Sequence, residues 1–243
     1  LIEYKNNNIY FAKIDIGALG ELGHFTDSQL SGFIAGNPIL QQNSGNVYSR
    51  LESLKLLASD ISKDNLEALR NCRGTYCAAI YDHENGKLFL VTDKIGVRPV
   101  YFWVHSDFVI FASALRILES LRHHQKEIDL KGITEIACFG YSLSDRTPYK
   151  DIFSLYAGEI VCFDTNKIER KKYWDWNKLP SKEAENLHLA KQLHATFIES
   201  IKIRLKDQKI VAAFLSGGLD SRAIVAALRE LNIDVLTANF AQQ

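Results

Sequence analysis

Methionine is absent from the 243 residues of this chain, and cysteine and proline occur only four times each. The cysteines are too few for a disulfide-stabilised scaffold, and their spacing fits no zinc or redox motif. No apolar run approaches the roughly 18 residues that a membrane-spanning helix needs. These absences predict a cytoplasmic protein without a membrane partner, in which the four cysteines are buried free thiols: Cys72, Cys77, Cys138 and Cys162.

An excess of either charge is also lacking, since 29 Lys and Arg residues face 29 Asp and Glu residues. No segment carries the basic surplus that binding to a nucleic-acid backbone demands. Hydrophobic residues make up 47% of the chain, which is enough for one large core or two modest ones. We therefore expect a folded protein that binds no nucleic acid.

The first part of the chain is rich in strand patterns. Residues 75–81 and 87–92 predict two strands, and the Asn85-Gly86 pair between them predicts a hairpin turn. Ser49 is the candidate N-cap of a helix that runs to about residue 58. Another strand, at residues 32–35, is expected to break at Gly36-Asn37-Pro38.

The last part has a different texture. Residues 183–206 predict an amphipathic helix with acidic residues near its start and basic residues near its end, an order that suits the helix dipole. Residues 210–215 and 233–238 predict buried strands, and the helix between them, at 221–231, makes one βαβ unit. We predict two domains, at residues 1–175 and 181–243.

The most informative residues, 215–222, read LSGGLDSR and lie between a predicted strand and a predicted helix. A glycine pair there lets the backbone approach a ligand closely, and the helix directs its free N–H groups to the same place. The serine hydroxyls can donate to phosphate, and Asp220 suits Mg²⁺. A tight strand-to-helix turn with a capping side chain is the alternative. The segment is not a Walker A loop, because the Gly-Lys-Ser/Thr ending is absent.

This segment resembles the PP-loop of ATP pyrophosphatases, and its sequence is similar to the form typical of the asparagine synthetase family. The resemblance implies that the loop holds the pyrophosphate part of ATP. A carboxylate then attacks the α-phosphorus to give an acyl-adenylate and pyrophosphate, and an amine forms the amide. The resemblance also implies ATP and Mg²⁺ as cofactors, with Asp220 as a metal ligand. It implies that these residues surround the nucleotide: Leu215, Ser216, Gly217, Gly218, Asp220, Ser221 and Asn239.

Upstream segments resemble the same family. Residues 74–82 (GTYCAAIYD), 93–102 (DKIGVRPVYF) and 111–113 (FAS) are similar to scaffold segments of its class II glutamine amidotransferase domain. The resemblance implies a fold of the α/β and α+β classes. An α/β/β/α sandwich of the N-terminal-nucleophile type comes first, followed by the start of a doubly wound parallel α/β PP-loop domain. Since too few residues remain for the second domain, we expect it to be incomplete in these 243 residues.

The glutaminase features of that domain are missing from this sequence. In the family, an N-terminal cysteine attacks glutamine and an arginine holds its carboxylate. Here no cysteine precedes Cys72 and no arginine precedes Arg50, so no catalytic residue is assigned. The family's Asn-Gly-Glu oxyanion segment and its acidic residue for the glutamine amine are replaced at these positions: Ala35, Gly36, Asn37, Arg73 and Gly74.

The resulting hypothesis is an ATP-dependent, AMP-forming amide ligase that hydrolyses no glutamine, as in β-lactam synthetase and lasso-peptide macrolactam synthetases. A glutamine-hydrolysing asparagine synthetase is the first alternative. A non-catalytic pseudoenzyme that keeps nucleotide binding is the second. The expected partners are small-molecule or peptide substrates that supply a carboxylate and an amine, with a homodimer as an expected assembly.

Overall fold

The computed structural model describes residues 1–121, 126–165, 167–178, 186–205 and 208–239. The chain divides into two compact units, residues 1–179 and 180–243. The ends of the helix predicted at 183–206, namely residues 183–185 and 206, lie outside the described residues, as does residue 181, where the second domain is predicted to begin.

The first unit is built mainly of strands. Its described strands are β1 (Ile2–Lys5), β2 (Tyr10–Lys13), β3 (His24–Thr26), β4 (Leu30–Ile39), β5 (Arg73–Asp82), β6 (Lys87–Thr92), β7 (Tyr101–Val104), β8 (Val109–Ala112), β9 (Ile152–Ser154), β10 (Glu159–Asp164) and β11 (Lys167–Lys172). Its described helices are α1 (Arg50–Ser62), α2 (Glu67–Asn71), α3 (Leu115–Glu119) and α4 (Leu130–Phe139), and a 3₁₀ turn spans Trp176–Lys178.

A six-stranded antiparallel sheet forms the centre of this unit, in the order β11-β10-β6-β5-β4-β3. The predicted Asn85-Gly86 hairpin is confirmed, because β5 and β6 pair from Asp82 opposite Lys87 and Gly86 has a φ of +64°. Two smaller sheets, β1-β2 and β8-β7-β9, form a second layer.

Three hydrophobic clusters define the layers. Leu54 and Leu57 of α1 pack on Ile34 and Ile80, on one face of the six-stranded sheet. The other face packs against the smaller sheets through residues such as Phe102 of β7. A third cluster joins α3 to β8 and β9. The order helix, sheet, sheet, helix confirms the predicted α/β/β/α sandwich.

Helix α1 begins where the sequence predicts. The Ser49 hydroxyl accepts the Glu52 N–H at 3.2 Å, and the Glu52 carboxylate accepts the Ser49 N–H at 2.8 Å. This reciprocal capping box satisfies two donors at the helix start. The helix continues to Ser62, beyond the predicted end at residue 58, because Ile61 is buried in the core.

Strand β4 corrects one prediction, since the chain does not break at Gly36-Asn37-Pro38. It stays paired with β5 through Ile39, with Pro38 opposite Gly74. Partner β3 pairs only with residues 31–33 of β4. Pro38 therefore lies where β4 has one strand partner, which is where the missing N–H of a proline is tolerated.

The cysteines give a second correction. All four are free, as predicted, and Cys72 and Cys77 are buried, but Cys162 is half-buried and Cys138 is exposed. Helix α4 carries Cys138 on its outer side, because its inner side is occupied by Gly132 and Glu135. The apolar neighbours of Cys138 in sequence therefore do not indicate burial.

The second unit is one βαβ arrangement preceded by a helix. Its described elements are α5 (Asn186–Leu205), β12 (Ile210–Phe214), α6 (Leu219–Glu230) and β13 (Asp234–Ala238). β12 and β13 pair in parallel, with Ala212 opposite Leu236. Both strands form as predicted, but the prediction that they are buried was wrong: a sheet of two strands covers little apolar surface, and Phe214 and Leu236 remain 69% and 67% exposed. This is the short start of the second domain that the sequence predicts.

In the described part of the chain, none of the helices combines the length and apolar character that crossing a membrane requires.

Candidate functional site

The 215–221 loop, residues Leu215 to Ser221, connects β12 to the first turn of α6. Its start is held by a hydrogen bond from the Leu215 N–H to the Ala238 carbonyl, at 2.9 Å. That bond extends the pairing of β12 with β13 by one residue. The loop therefore leaves the carboxyl edge of a parallel sheet, where open α/β folds bind their ligands.

Ser221 organises this loop. Its hydroxyl oxygen accepts the Ser216 N–H at 3.1 Å and lies 3.0 Å from the Ser216 hydroxyl oxygen. Its O–H is also within hydrogen-bond distance of the carbonyls of Ser216 and Gly218, at 3.1 and 3.2 Å. The two predicted serines are thus brought together, and they fold the loop back over the start of α6.

The glycine pair leaves the loop open. A Cβ on Gly217 would meet no atom within 4 Å, and one on Gly218 would approach only the Ser216 hydroxyl, at 3.4 Å. Gly218 is the N-cap of α6, and no side chain accepts a hydrogen bond at this cap. The first N–H groups of a helix have no partner inside the helix. Their dipole end favours an anion here.

Asp220 lies in the first turn of α6 and is exposed. Mg²⁺ in nucleotide sites is typically held by one or two carboxylates together with phosphate oxygens, so a single aspartate here fits that ion. Among the described residues, no three His, Cys, Asp or Glu side chains cluster closely enough to hold a metal ion. Mg²⁺ at this loop would thus need phosphate oxygens as further ligands.

Asn239, the predicted residue on the adenine side, follows the last residue of β13 and is exposed. Leu215 follows the last residue of β12, and the two strands are neighbours. Both residues therefore leave the same edge of the parallel sheet.

The predicted glutaminase positions come together in the β4–β5 pair. Ala35, Gly36 and Asn37 lie opposite Cys77, Tyr76 and Thr75. The two remaining positions, Gly74 and Arg73, lie opposite Pro38 and Ile39 at the start of β5. The side chain of Arg73 is exposed.

Two glycines make this strand pair tight. Gly36 and Gly74 have φ values of +89° and +90°, a conformation that favours glycine. A Cβ on Gly36 would overlap the Thr75 carbonyl oxygen, and a Cβ on Gly74 would overlap the Asn37 carbonyl oxygen. Each glycine thus allows the opposing backbone to approach closely.

Arg50, the first residue of α1, is only 4% exposed and is bonded to β4. Its Nε–H donates to the Gly36 carbonyl at 2.9 Å, and Nη2 donates to the Ile34 carbonyl at 3.2 Å. A further donor, Nη1, reaches the Glu21 carbonyl at 2.8 Å. The guanidinium supplies hydrogen bonds to β4 where β3 has ended, which explains how a charged side chain is buried here.

Charged neighbours surround this arginine, and we call Arg50, Lys13, Asp15 and Glu21 the Arg50 cluster. Asp15 accepts from Lys13 Nζ at 2.5 Å and lies 3.5 Å from Arg50 Nη1, and the Glu21 carboxylate accepts the Arg50 backbone N–H. The hydrogen bond from Lys13 holds the Asp15 pKa below its ordinary value, while burial lowers the pKa of Lys13. The two positive and the two negative side chains of the Arg50 cluster therefore balance one another in charge.

Cys77 is the cysteine that lies directly opposite Ala35 in this ladder. Burial raises the pKa of its thiol to about 11. Since the thiolate is the nucleophilic form of cysteine, a thiol protonated at neutral pH is unsuited to attack glutamine.

A cavity of about 1080 Å³ lies between the two layers of the first unit, beside these positions. Its walls include β2 and β8, and small side chains form part of its floor: Ala35, Cys77 and Ala79. The lining is mainly apolar, but it also includes charged side chains such as Lys13 and Asp164.

Two family models match this chain. A glutamine amidotransferase domain matches residues 55–174, and an asparagine synthase model matches residues 192–243, which include the whole 215–221 loop. The chain belongs to the asparagine synthase family. Arg73 and Gly74 lie inside the matched amidotransferase segment, whereas Ala35, Gly36 and Asn37 precede it.

Several curated relatives carry the family name. A Methanocaldococcus jannaschii protein named as glutamine-hydrolyzing asparagine synthetase 2 is 31% identical over 70% of this chain and 33% of its own length. Glutamine-hydrolyzing asparagine synthetase 3 of Bacillus subtilis is 23% identical over 75% of this chain and 30% of its own length. The chain thus spans about a third of these asparagine synthetases.

Other similarities are more distant. Amidase chry2 of Gibberella zeae is 22% identical over 68% of this chain and 25% of its own length. Among solved structures, glutamine phosphoribosylpyrophosphate amidotransferase from B. subtilis, complexed with ADP and GMP, aligns at 14% identity with a TM-score of 0.39. That alignment covers 94% of this chain and 50% of that chain.

The Arg50 cluster is the feature of this asparagine synthase family member that sequence reasoning missed. Arg50 directly follows the Ser49 cap, so its position predicts an exposed residue in the first turn of a helix. Its burial depends on carbonyls of β4, which come from a distant part of the sequence. Nothing in the local pattern of residues 49–52 reveals that contact.

Proposed function

We propose that this protein is an ATP-dependent amide-forming ligase that activates a carboxylate as its adenylate and does so without hydrolysing glutamine. The open 215–221 loop is the observation that carries the proposal. It combines an uncapped helix start with two serine hydroxyls and lies within the asparagine synthase match.

The chemistry divides into two steps. Bound ATP supplies an electrophilic α-phosphorus, and a substrate carboxylate oxygen attacks it while pyrophosphate leaves. A substrate amine then attacks the acyl carbon, loses a proton and displaces AMP. In this proposal Ser216, Ser221 and the first N–H groups of α6 bind the leaving pyrophosphate, and Asp220 holds Mg²⁺. Leu215 and Asn239 line the nucleotide.

Loss of glutaminase activity is supported by the environment of Gly36. Ala35 has no side-chain amide with which to stabilise a tetrahedral oxyanion. The Gly36 and Ile34 carbonyls are already bonded to Arg50. These two carbonyls are therefore already engaged by the protein itself.

Binding of Mg·ATP, measured by isothermal titration calorimetry, tests the proposal most directly. The wild-type protein should bind Mg·ATP, and Asp220→Ala should weaken binding by about tenfold or more because a charged magnesium ligand is lost. Asp234→Ala, which removes an exposed aspartate at the start of β13, is the matched control and should bind as wild type. An Asp220→Ala protein that binds Mg·ATP normally would show that the loop is misassigned.

Mass spectrometry of ATP incubations with candidate carboxylates and amines then identifies the reaction. Formation of AMP and an amide supports a ligase, whereas ADP would contradict adenylation. Nucleotide binding without turnover of any candidate would favour a pseudoenzyme. We also propose that the protein forms a homodimer, which size-exclusion chromatography with light scattering tests.

The names of the relatives favour a second candidate, a glutamine-hydrolysing asparagine synthetase. An assay for glutamate released from glutamine separates the two. Release of glutamate at ordinary enzyme rates would overturn the proposal that the glutaminase site is inactive, and formation of asparagine from aspartate would establish the second candidate.

A further inference from the structure

Arg222 lies directly after the 215–221 loop and has no role in the function proposed so far. It is exposed in the first part of α6, and its Nε–H donates to the Gly218 carbonyl at 3.3 Å. The acceptor is the N-cap residue of the same helix. The long side chain therefore folds back toward the helix start instead of extending away from it.

This position is electrostatically unfavourable for an arginine in an isolated helix. The start of a helix carries a partial positive charge, so acidic residues are favoured there and basic residues at the end. Helix α6 follows the rule at two places, with Asp220 in its first turn and Arg229 in its last turn. Arg222 departs from it. Departures from a local rule are expected where a residue serves a ligand.

The local charge supports the same conclusion. Residues 215–222 contain one acidic residue, Asp220, and one basic residue, Arg222. Phosphate loops of the Walker type supply a lysine for the charge of the triphosphate, and none is present in this segment. Arginine is well suited to that task, because its planar guanidinium donates several hydrogen bonds to phosphate oxygens.

We propose that Arg222 is a binding residue for the pyrophosphate part of the nucleotide, held at the mouth of the loop by its bond to Gly218. The inference rests on the proposed function, because it needs a nucleoside triphosphate in the 215–221 loop. The inference adds that a positively charged side chain is needed beside the terminal phosphates of the nucleotide. The contribution of Arg222 should therefore appear with ATP and inorganic pyrophosphate and be absent with AMP.

Calorimetry on the full chain tests this with four proteins: wild type, Arg222→Gln, Arg222→Lys and Arg229→Gln. Arg222→Gln should weaken binding of Mg·ATP and of pyrophosphate by about ten- to hundredfold, the range for loss of a charge-assisted hydrogen bond. AMP affinity should change by less than about twofold. Arg222→Lys should fall between wild type and Arg222→Gln, because it keeps the charge but loses the fork of donors.

Arg229→Gln is the matched control, since it removes an exposed arginine about 15 Å from the loop along the same helix. It should bind all three ligands as wild type. Circular dichroism melting curves of the four proteins check that α6 remains folded. Because the bond to Gly218 is weak and exposed, Arg222→Gln should melt within about 2 °C of wild type.

Three results would overturn the inference. Wild-type affinity of Arg222→Gln for Mg·ATP would leave the proposed function intact and remove only the role of Arg222. Equal weakening for ATP and AMP would show that Arg222 shapes the loop and does not contact the terminal phosphates. If the wild-type protein binds no ATP while folded, the proposed function itself fails, and the inference fails with it.

Discussion

The β4–β5 strand pair and the 215–221 loop both place glycines beside polar groups, yet they use these groups in opposite ways. In β4, the Ile34 and Gly36 carbonyls accept from the buried Arg50, and the Arg50 cluster balances its own charges. In the loop, the start of α6 has no side-chain cap, and Asp220 and Arg222 are exposed. The β4 carbonyls are engaged by a buried side chain, whereas the charged side chains beside the loop are exposed.

The difference teaches how to separate a structural polar cluster from a candidate binding site within one protein. A buried polar group must find a partner, and a site whose partners all come from the protein has its hydrogen bonds already satisfied. The N–H groups at an exposed helix start can lack a protein partner because water accepts their hydrogen bonds when no ligand is bound. Substitutions in the first region should therefore change stability, and those in the second should change ligand affinity.

The largest expected effect is that of Gly36→Ala. The positive φ of Gly36 and the overlap of a Cβ with the Thr75 carbonyl should lower the free energy of unfolding by about 3 to 5 kcal/mol. Urea denaturation measures this. Gly45→Ala is the control, because Gly45 has a similar φ of +87° but open space around its Cα. Equal losses in the two variants would contradict a tight strand pair.

Arg50→Met should lower the free energy of unfolding by about 3 kcal/mol, because the carbonyls of β4 and the charge of Asp15 lose a buried partner. Arg70→Met removes an exposed arginine of α2 and should have a much smaller effect. Denaturation followed by tryptophan fluorescence compares them. A stable Arg50→Met protein that also gains glutaminase activity would reverse our view of this region.

Ser221→Ala should weaken Mg·ATP binding by about tenfold, since its hydroxyl bonds the backbone of Ser216 and Gly218. The melting temperature should hardly change, because the loop is exposed. Ser200→Ala, in α5, is the control and should bind ATP as wild type. A large loss of stability in Ser221→Ala, with unchanged affinity, would mean that Ser221 stabilises the fold as Arg50 does and does not support ligand binding.

The pH dependence of stability probes the Arg50 cluster. The folded-state pKa of Asp15 lies below its ordinary value of 3.8, so its contribution to stability is present above about pH 4 and is lost as the pH falls through the folded-state pKa. Asp15→Asn should therefore be less stable than wild type at pH 7, and the difference should shrink in acid. Denaturation curves at pH 7, 5, 4 and 3 measure it. A constant difference would refute the ionic contact.

The smallest effect concerns the thiols. Cys138 is exposed, whereas burial raises the pKa values of Cys72 and Cys77 to about 11. In the native protein a disulfide reagent should modify Cys138 first, and the two buried thiols only after unfolding. Cys138→Ser should remove the fast phase. Fast modification of Cys77 in that variant would show that the strand pair is open.

Local signals predicted much of the fold. The Asn85-Gly86 turn and the Ser49 capping box depend on neighbouring residues, and both are present in the structure. The break predicted in β4 was wrong, because pairing with β5 keeps Gly36 and Pro38 in the strand. The burial predicted for Cys138 was wrong as well, since the orientation of α4 depends on what it packs against.

The two candidate sites also differ in whether neighbouring residues in sequence or tertiary contacts determine their features. Residues 215–222 predict a phosphate-binding loop from local sequence alone, because a strand, a glycine pair and a helix start are contiguous in the chain. The sequence also determined the scarcity of cysteine and the balance of charge. Only the tertiary structure decided that Arg50 is buried and that it bonds to Gly36. Those features depend on backbone carbonyls distant in sequence, and local residue patterns carry no information about which carbonyl will lie within reach.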